Sequence, residues 1–159
     1  MKVYMICVYF EIPYERQLIR IALSEIRKMS NAVAEAAEAN GATSFKMSCA
    51  SVYRFSSTAI APIFSVNLFL QFLADTLRVY KKRVVDYRVI IDCCKETDTE
   101  DGIADHFTAY KNLLIPSRGF FASPQAETLL QAYIRFEYVP KLELYYCANF
   151  IVPKTNKTE

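Results

Sequence analysis

The chain contains 159 residues, with 19 basic and 17 acidic side chains, a net charge of +2 and a hydrophobic fraction of 53%. This length and apolar content fit one domain with a sizeable core, and the small net charge argues against a nucleic-acid partner. The 3 glycines are few for loops that cradle phosphates, and no apolar run reaches the roughly 20 residues of a membrane-spanning helix. We therefore expect a single cytoplasmic domain over residues 1–152 and a flexible polar tail over 153–159.

The N-terminal part of the chain predicts a buried strand followed by a long helix. Residues 3–10 are apolar without polar alternation, which indicates a strand buried on both faces. Residues 14–40 repeat apolar side chains at helical spacing, and Asn40-Gly41 is typical of a helix C-cap. The apolar stripe of this helix consists of Leu18, Ala22, Ile26, Met29, Val33 and Ala36.

A hairpin and a second long helix are predicted next. Residues 43–55 indicate two strands with a reversal near 48–50, and that reversal lacks the Gly, Asn or Asp of a two-residue turn. Residues 63–84 carry a main apolar stripe and a second apolar row. A helix that is apolar on more than one side is either deeply buried or part of an interface. The second row consists of Leu68, Phe69 and Phe72.

The second half of the chain predicts shorter alternating elements. They are a strand at 86–94, an acidic loop at 95–105, a short helix at 106–114, a strand at 119–123, a helix at 124–133 and closing strands at 134–139 and 142–151. Ser123 and Pro124 suit the N-cap and the first residue of the helix that they begin. The element order predicts an α+β fold with a ferredoxin-like βαββαβ core and an additional C-terminal α/β segment.

No complete catalytic or metal-binding motif is present in the sequence. The cysteines lack the spacing of a metal site, and their odd number fits free thiols packed in the core. His106 is the sole histidine and is expected in a surface loop, and the acidic loop lacks the spacing of a calcium site. The five cysteines are Cys7, Cys49, Cys93, Cys94 and Cys147.

Three local strings resemble the class III adenylate and guanylate cyclase homology domain. Residues 46–55 (KMSCASVYRF) resemble its hairpin, and residues 88–94 (RVIIDCC) resemble the strand that follows. Gly119–Ser123, a helix and then residues 135–139 (RFEYV) are similar to the end of that domain. The resemblance covers most of residues 3–152 and implies a cyclase-like α+β fold.

This resemblance also implies where the chemistry would lie. Cyclases use two aspartates to hold two metal ions for phosphoryl transfer, and these positions match Glu11 and Ala50. An Asn and an Arg that steady the developing charge match Phe107 and Lys111. With one metal ligand replaced by Ala and the other positions altered, the resemblance implies no catalytic residues, no metal and no cofactor.

The leading hypothesis is a non-catalytic cyclase-like module that acts through dimerisation or by regulating a signalling partner. Its partner would be a second copy or a related domain. One alternative is a nucleotide or small-ligand sensor that retains a cyclase-type pocket, for which Glu11, Ser51 and Lys111 are the candidate ligand-binding residues. Another is an unrelated enzyme on a ferredoxin-like core that uses Cys49, Cys93 or His106.

Overall fold

The structure is a computed structural model that describes residues 4–12, 20–47, 50–56, 62–79, 87–95, 98–112 and 119–150. Its strands are β1 (Tyr4–Glu11), β2 (Thr43–Lys46), β3 (Ala50–Ser56), β4 (Arg88–Lys95), β5 (Gly119–Ala122), β6 (Ile134–Val139) and β7 (Leu144–Phe150). Its helices are α1 (Arg20–Ala39), α2 (Pro62–Val79), α3 (Glu100–Thr108) and α4 (Pro124–Leu130), and α3 continues into a 3-10 turn over Ala109–Asn112.

All seven strands form one sheet in the order β2-β3-β1-β4-β5-β7-β6. The β4–β5 pair is parallel, and the other neighbours are antiparallel. The first four strands with α1 and α2 give the ferredoxin-like βαββαβ arrangement, and the remaining elements extend it. The α+β prediction with a C-terminal α/β segment is therefore confirmed.

β1 is the central strand of the ferredoxin-like part. Each of its residues from Met5 to Glu11 is buried and pairs with β3 or β4 on either side. Alternate side chains enter two separate clusters because successive residues of a strand point to opposite faces. Ile6, Val8 and Phe10 face α1, α2 and α4, which we call the helical face. Met5, Cys7 and Tyr9 face the side covered by α3, which we call the α3 face. Glu11 follows on the same face by the alternation of the strand.

The α1 helix ends as the sequence predicts. Gly41 has a φ of 85°, a left-handed conformation that glycine adopts without a steric penalty. The Gly41 N–H donates to Glu38 O and the Ala42 N–H donates to Ala37 O, so the last helical carbonyls are satisfied. The predicted part of the helix before residue 20 lies outside the described residues.

The acidic stretch predicted as a loop at 95–105 is mostly helical, so that prediction is wrong. Thr99 caps α3, because its hydroxyl oxygen accepts the Gly102 N–H at 3.0 Å. Glu100 and Asp101 stand in the first turn, where negative side chains interact favourably with the helix dipole. The acidic residues thus stabilise a helix start instead of filling a solvated loop.

The cysteines follow the predicted packing. Cys93 packs against the cluster on the helical face and Cys94 lies in the cluster on the α3 face. Cys7, Cys93, Cys94 and Cys147 are free thiols, and Cys49 lies outside the described residues. Within the described ranges, none of the helices is long and apolar enough to cross a membrane.

Candidate functional site

The end of β1 brings together the two positions that the sequence matched to cyclase metal ligands. Glu11 pairs directly with Ala50 of β3 on one side and with Arg88 of β4 on the other. Residues paired across adjacent strands project to the same face of a sheet, so all three side chains share the α3 face. Glu11 and Ala50 are 6% and 7% exposed, respectively.

Arg88 binds Glu11 from the neighbouring strand. Its Nη1 lies 3.0 Å from Oε1 of Glu11, and the two side chains are 24% and 8% exposed. A guanidinium stays positively charged in proteins and only donates hydrogen bonds. The carboxylate at this position is therefore neutralised by a fixed side-chain cation, and the methyl group of Ala50 on the other side offers no ligand atom.

Ser51 lies on the opposite face of the sheet from Glu11. It pairs with Phe10 and lines a cavity of about 160 Å³ between α1 and the β2–β3 hairpin, together with Lys46. Lys111 belongs to the 3-10 turn after α3, and its side chain lies outside what the structure describes. The structure therefore does not bring Glu11 and Ser51 together, and their roles in ligand binding, like that of Lys111, stay predictions.

Phe107 occupies the core of the α3 face. Its side chain is 0% exposed and stacks on Tyr9, with ring centroids 5.2 Å apart and an interplanar angle of 16°. The position matched to the cyclase Asn is thus a packing position in this fold. An aromatic residue there adds buried apolar area and holds α3 against β1.

A polar network that the sequence reasoning missed lies beside Phe107. The buried Asp92 carboxylate contacts His106 Nε2 at 2.5 Å and accepts the Tyr110 hydroxyl at 2.6 Å, both through Oδ2. Its Oδ1 accepts the Cys93 backbone N–H at 2.7 Å. His106 belongs to α3 and partners Asp92, so the predicted loop is wrong, although its side chain lies at the surface as predicted. An aspartate inside the apolar strand 88–95 was the sequence signal for such a network.

Burial changes the acidity of the groups around this network. Burial, and then the hydrogen bond to Asp92, raises the pKa of the Tyr110 phenol well above its usual value. The pKa of the Cys7 thiol is likewise raised, first by its hydrogen bond with Cys94 and then by burial. Burial raises the pKa of Cys93 to about 12. Because the thiolate is the nucleophile, these thiols are poorly suited to nucleophilic work at neutral pH.

The α2 helix presents an apolar row to the surface. Phe64, Leu68 and Phe72 are 45%, 42% and 40% exposed, and their spacing of four residues places them on one side of the helix. Phe69, which the sequence placed in the second apolar row, is fully buried on the helical face. The other two residues of the predicted second row, Leu68 and Phe72, are exposed, as an interface would require. Phe64 lies one turn before Leu68 and extends this exposed row. We call these three residues the α2 row.

A family model described as TP_0123_N, an N-terminal domain, matches residues 5–151 of the chain. The chain belongs to the TP_0123_N family. This TP_0123_N chain is also 33% identical over 150 residues to a TPR repeat-containing protein of Treponema pallidum (strain Nichols). The match covers 94% of the chain and 18% of that relative, so the chain spans less than a fifth of the relative's length.

Solved structures similar to the TP_0123_N domain include nucleotide cyclase domains. The monomeric guanylyl cyclase domain of the RhoGC fusion protein from Blastocladiella emersonii matches with a TM-score of 0.70 and 8% identity, covering 94% of this chain and 97% of that one. The adenylyl cyclase CyaB from P. aeruginosa matches with a TM-score of 0.62 and 11% identity, covering 94% and 95%. The chain has the fold of class III nucleotide cyclase domains, as the sequence strings predict.

Proposed function

We propose that this TP_0123_N domain is a non-catalytic, cyclase-like module that acts by binding a protein partner. The observation that carries the proposal is the Glu11–Arg88 ion pair beside Ala50. Two-metal phosphoryl transfer needs carboxylates free to coordinate cations. Here one carboxylate is bound by a guanidinium, and the adjacent position is a methyl group.

Electrostatics reinforce this conclusion. A metal ion at Glu11 would stand close to the permanent positive charge of Arg88, and like charges at short range repel by several kcal/mol in a partly buried site. Within the described part of the chain, no group of three or more His, Cys, Asp or Glu residues is arranged to hold a metal ion. The cyclase fold is therefore expected to serve as a scaffold.

The α2 row supports partner binding. Its three side chains leave roughly 250 Å² of apolar surface in water, judged from the usual size of such residues, and a stable interface buries about 800 Å² on each partner. The row is therefore large enough for only part of a stable interface. Its partner would have to be tethered close to the domain or to contact the surface around the row as well. Side chains four residues apart form a ridge that packs into the groove of another helix.

We infer that the occupant of the α2 row is a helix of a TPR-type array. The Treponema pallidum relative is described as TPR repeat-containing, and most of its length lies outside the matched 150 residues. TPR repeats are stacked helix pairs with exposed grooves between helices. A helical ridge and a helical groove provide complementary shapes, which an extended strand partner would not.

The first experiment tests binding at the α2 row. Phe64→Ser/Leu68→Ser/Phe72→Ser is compared with Lys28→Ser/Glu35→Ser/Glu38→Ser, which alters exposed residues of α1. Each folded variant is titrated by calorimetry against the TPR segment of the Treponema pallidum relative. The α2 variant should bind at least about tenfold more weakly than wild type, since it loses the apolar core of the contact, and the α1 variant should bind normally.

Two outcomes would contradict this assignment. Equal binding by both variants would place the contact elsewhere on the domain. A wild-type mass of two chains by light scattering that returns to one chain in the α2 variant would assign the row to self-association instead of a TPR helix. Circular dichroism of each variant checks that lost binding does not reflect lost folding.

The second experiment tests the absence of catalysis. Wild type with Mn²⁺ and ATP or GTP should form no cyclic nucleotide above the buffer blank. Ala50→Asp/Arg88→Ala restores two facing carboxylates and removes the competing cation, so it should gain Mn²⁺-dependent thermal stabilisation that wild type lacks. Cyclic nucleotide formed by wild type would overturn the proposal directly.

The hairpin cavity favours a second candidate function, a small-ligand sensor. Ser51, Lys46, Ser30 and Asn31 line it with polar atoms, beside the Ala50 position. A thermal-shift screen with nucleotides and divalent ions would support this candidate if one ligand raises the melting temperature of wild type but not of Lys46→Met. No shift with any ligand would remove it.

A further inference from the structure

A second potential site lies at the far end of the sheet from Glu11. β4 and β5 are parallel neighbours, with Arg88 opposite Gly119 and Ile91 opposite Ala122. α3 follows β4 and packs on the α3 face, where Ile103 and Phe107 belong to the apolar cluster. α4 follows β5 and packs on the helical face through Ala126 and Leu130. The segments that follow these adjacent parallel strands therefore lead to opposite faces of the sheet.

This divergence creates a crevice beyond the carboxyl ends of the two strands. In open α/β sheets, ligands bind preferentially at such a point, where successive connections change sides. A groove of about 380 Å³ is found there. It is lined by Cys93, Cys94, Lys95, Asp98, Gly102, Ile103, His106 and Gln125. We call it the switch-point groove.

The groove is distinct from the cyclase-like position. Glu11 pairs with Arg88 at the start of β4, whereas the groove lies at the other end, where Lys95 pairs with Tyr4. The eight residues of β1 separate these ends by about 25 Å. A ligand in the groove would therefore touch neither the Glu11–Arg88 pair nor the hairpin cavity.

His106 is held in a fixed orientation at this groove. A carboxylate can only accept hydrogen bonds, so the His106 Nε2–H donates to Asp92. In the neutral imidazole, Nδ1 is then the ring nitrogen that accepts. The Tyr110 hydroxyl donates to the same Asp92 oxygen and holds the carboxylate in place. The His106 side chain is 51% exposed, so the ring is anchored on one side and accessible on the other.

The other polar groups of the groove include both charges. The Lys95 ammonium and the Gln125 amide are donors, and Asp98 supplies a carboxylate whose Oδ2 accepts the Lys95 backbone N–H at 2.9 Å. An anionic ligand would meet Asp98 as well as Lys95, and a cationic ligand would meet Lys95 as well as Asp98. A molecule with an ammonium and a carboxylate would satisfy both groups, and its ammonium would also donate to Nδ1 of a neutral His106 imidazole.

An apolar extension adjoins the polar part. A cavity of about 280 Å³ shares Cys93 and Gln125 with the groove and continues over Thr128 and Leu129. Leu129 is 38% exposed, which is high for a large apolar side chain and leaves surface for a ligand to cover. The combined shape offers a polar end for charged groups and an apolar end for a hydrocarbon side chain.

We propose that the switch-point groove binds a free α-amino acid with an apolar side chain. Its ammonium donates to His106 Nδ1 and Asp98, its carboxylate accepts from Lys95 and Gln125, and its side chain covers Leu129. This site goes beyond the partner-binding function and does not depend on it, because the α2 row plays no part in it.

The test uses calorimetry and thermal shift on the chain with free L-leucine, L-methionine and L-phenylalanine at up to about 10 mM. At least one should bind saturably. N-acetyl-leucine lacks the ammonium and leucinamide lacks the carboxylate, so each should bind about tenfold more weakly, the usual cost of losing a charge-assisted hydrogen bond.

Variants locate the binding site. Lys95→Met and Gln125→Ala change exposed side chains, so they should fold normally and raise the dissociation constant about tenfold. Lys141→Met removes an exposed lysine in the turn between β6 and β7 and should leave binding unchanged. Absence of binding by all three amino acids would overturn the proposal, as would binding that Lys95→Met and Gln125→Ala leave intact.

Discussion

Arg88 Nη1 lies 3.0 Å from Glu11 Oε1, so β4 supplies the cation for a carboxylate that ends β1. The pair joins two adjacent strands of the sheet centre, and Glu11 is largely removed from water. A buried carboxylate that loses its cation carries an uncompensated desolvation cost. The pair therefore contributes to stability mainly by preventing that cost.

The first prediction concerns this pair. Arg88→Met keeps the length of the side chain and removes its charge, so it should lower the free energy of unfolding by about 2–4 kcal/mol. Urea unfolding followed by circular dichroism measures the change. Arg78→Met is the matched control, because the Arg78–Asp75 pair is 76% and 71% exposed and should cost about 0–0.5 kcal/mol. Equal losses in the two variants would show that Glu11 does not depend on Arg88.

The second prediction concerns Phe107. Phe107→Asn introduces the residue type that cyclases are expected to hold there, but it removes a ring packed on Tyr9 inside the core. It should cost about 3–5 kcal/mol of stability and bring no nucleotide chemistry. Phe107→Leu should cost less, about 1–2 kcal/mol, because it keeps most of the apolar volume. If Asn were tolerated as well as Leu, the buried packing of Phe107 would be contradicted.

The third prediction separates the two sides of α2. Leu68→Ala on the α2 row should change the free energy of unfolding by less than about 0.5 kcal/mol, as exposed substitutions usually do. Leu70→Ala removes a side chain with 0% exposure and should cost about 2–5 kcal/mol. Chemical denaturation of the isolated chain compares the two. A large loss for Leu68→Ala would mean that the row packs within the domain and is not an open surface.

The fourth prediction concerns alkaline pH. Burial raises the pKa of Cys93 from 9.0 to about 12. Between these values, the unfolded thiol loses its proton and the folded thiol keeps it, so stability is fully present below pH 9 and falls as pH rises. We expect a loss of about 1 kcal/mol from this thiol near pH 10, after allowing for partial exposure.

Urea midpoints measured between about pH 8.5 and pH 10.5 check this pH dependence. Cys93→Ala should reduce the slope of the urea midpoint against pH. A remaining slope is expected because the pKa values of Cys7, Cys147 and Tyr110 are also raised in the folded state. A slope identical in wild type and Cys93→Ala would contradict the assignment to this thiol.

Much of the fold was predictable because its strongest signals are local. The apolar run of β1 and the Asn40-Gly41 cap need no tertiary information, and both are confirmed. Ser123 was predicted as an N-cap, and its hydroxyl oxygen accepts the Ala126 N–H at 3.2 Å. The first part of α3 was predicted as a loop because the charges of Glu100 and Asp101 are also typical of a solvated loop.

The candidate sites were harder to predict because they depend on strand register and long-range pairing. Ser51 and Ala50 are adjacent in sequence, yet the alternation of a strand sends them to opposite faces, so only the register separates Ser51 from Glu11. Asp92 and His106 are 14 positions apart, and their contact exists only after α3 folds back over β4. The switch-point groove likewise arises from where two helices pack, which no local pattern specifies.

The central position of β1 has a consequence for synthesis on the ribosome. Its ladder partners are β3 and β4, and β4 ends 84 residues after Glu11. At translation rates of 5–20 residues per second, β1 waits roughly 4–17 s for its second partner. During that interval a strand that is apolar on both faces has an unpaired edge, which is a template for aggregation. We therefore expect nascent chains that end between β3 and β4 to depend on chaperones more than the finished domain does.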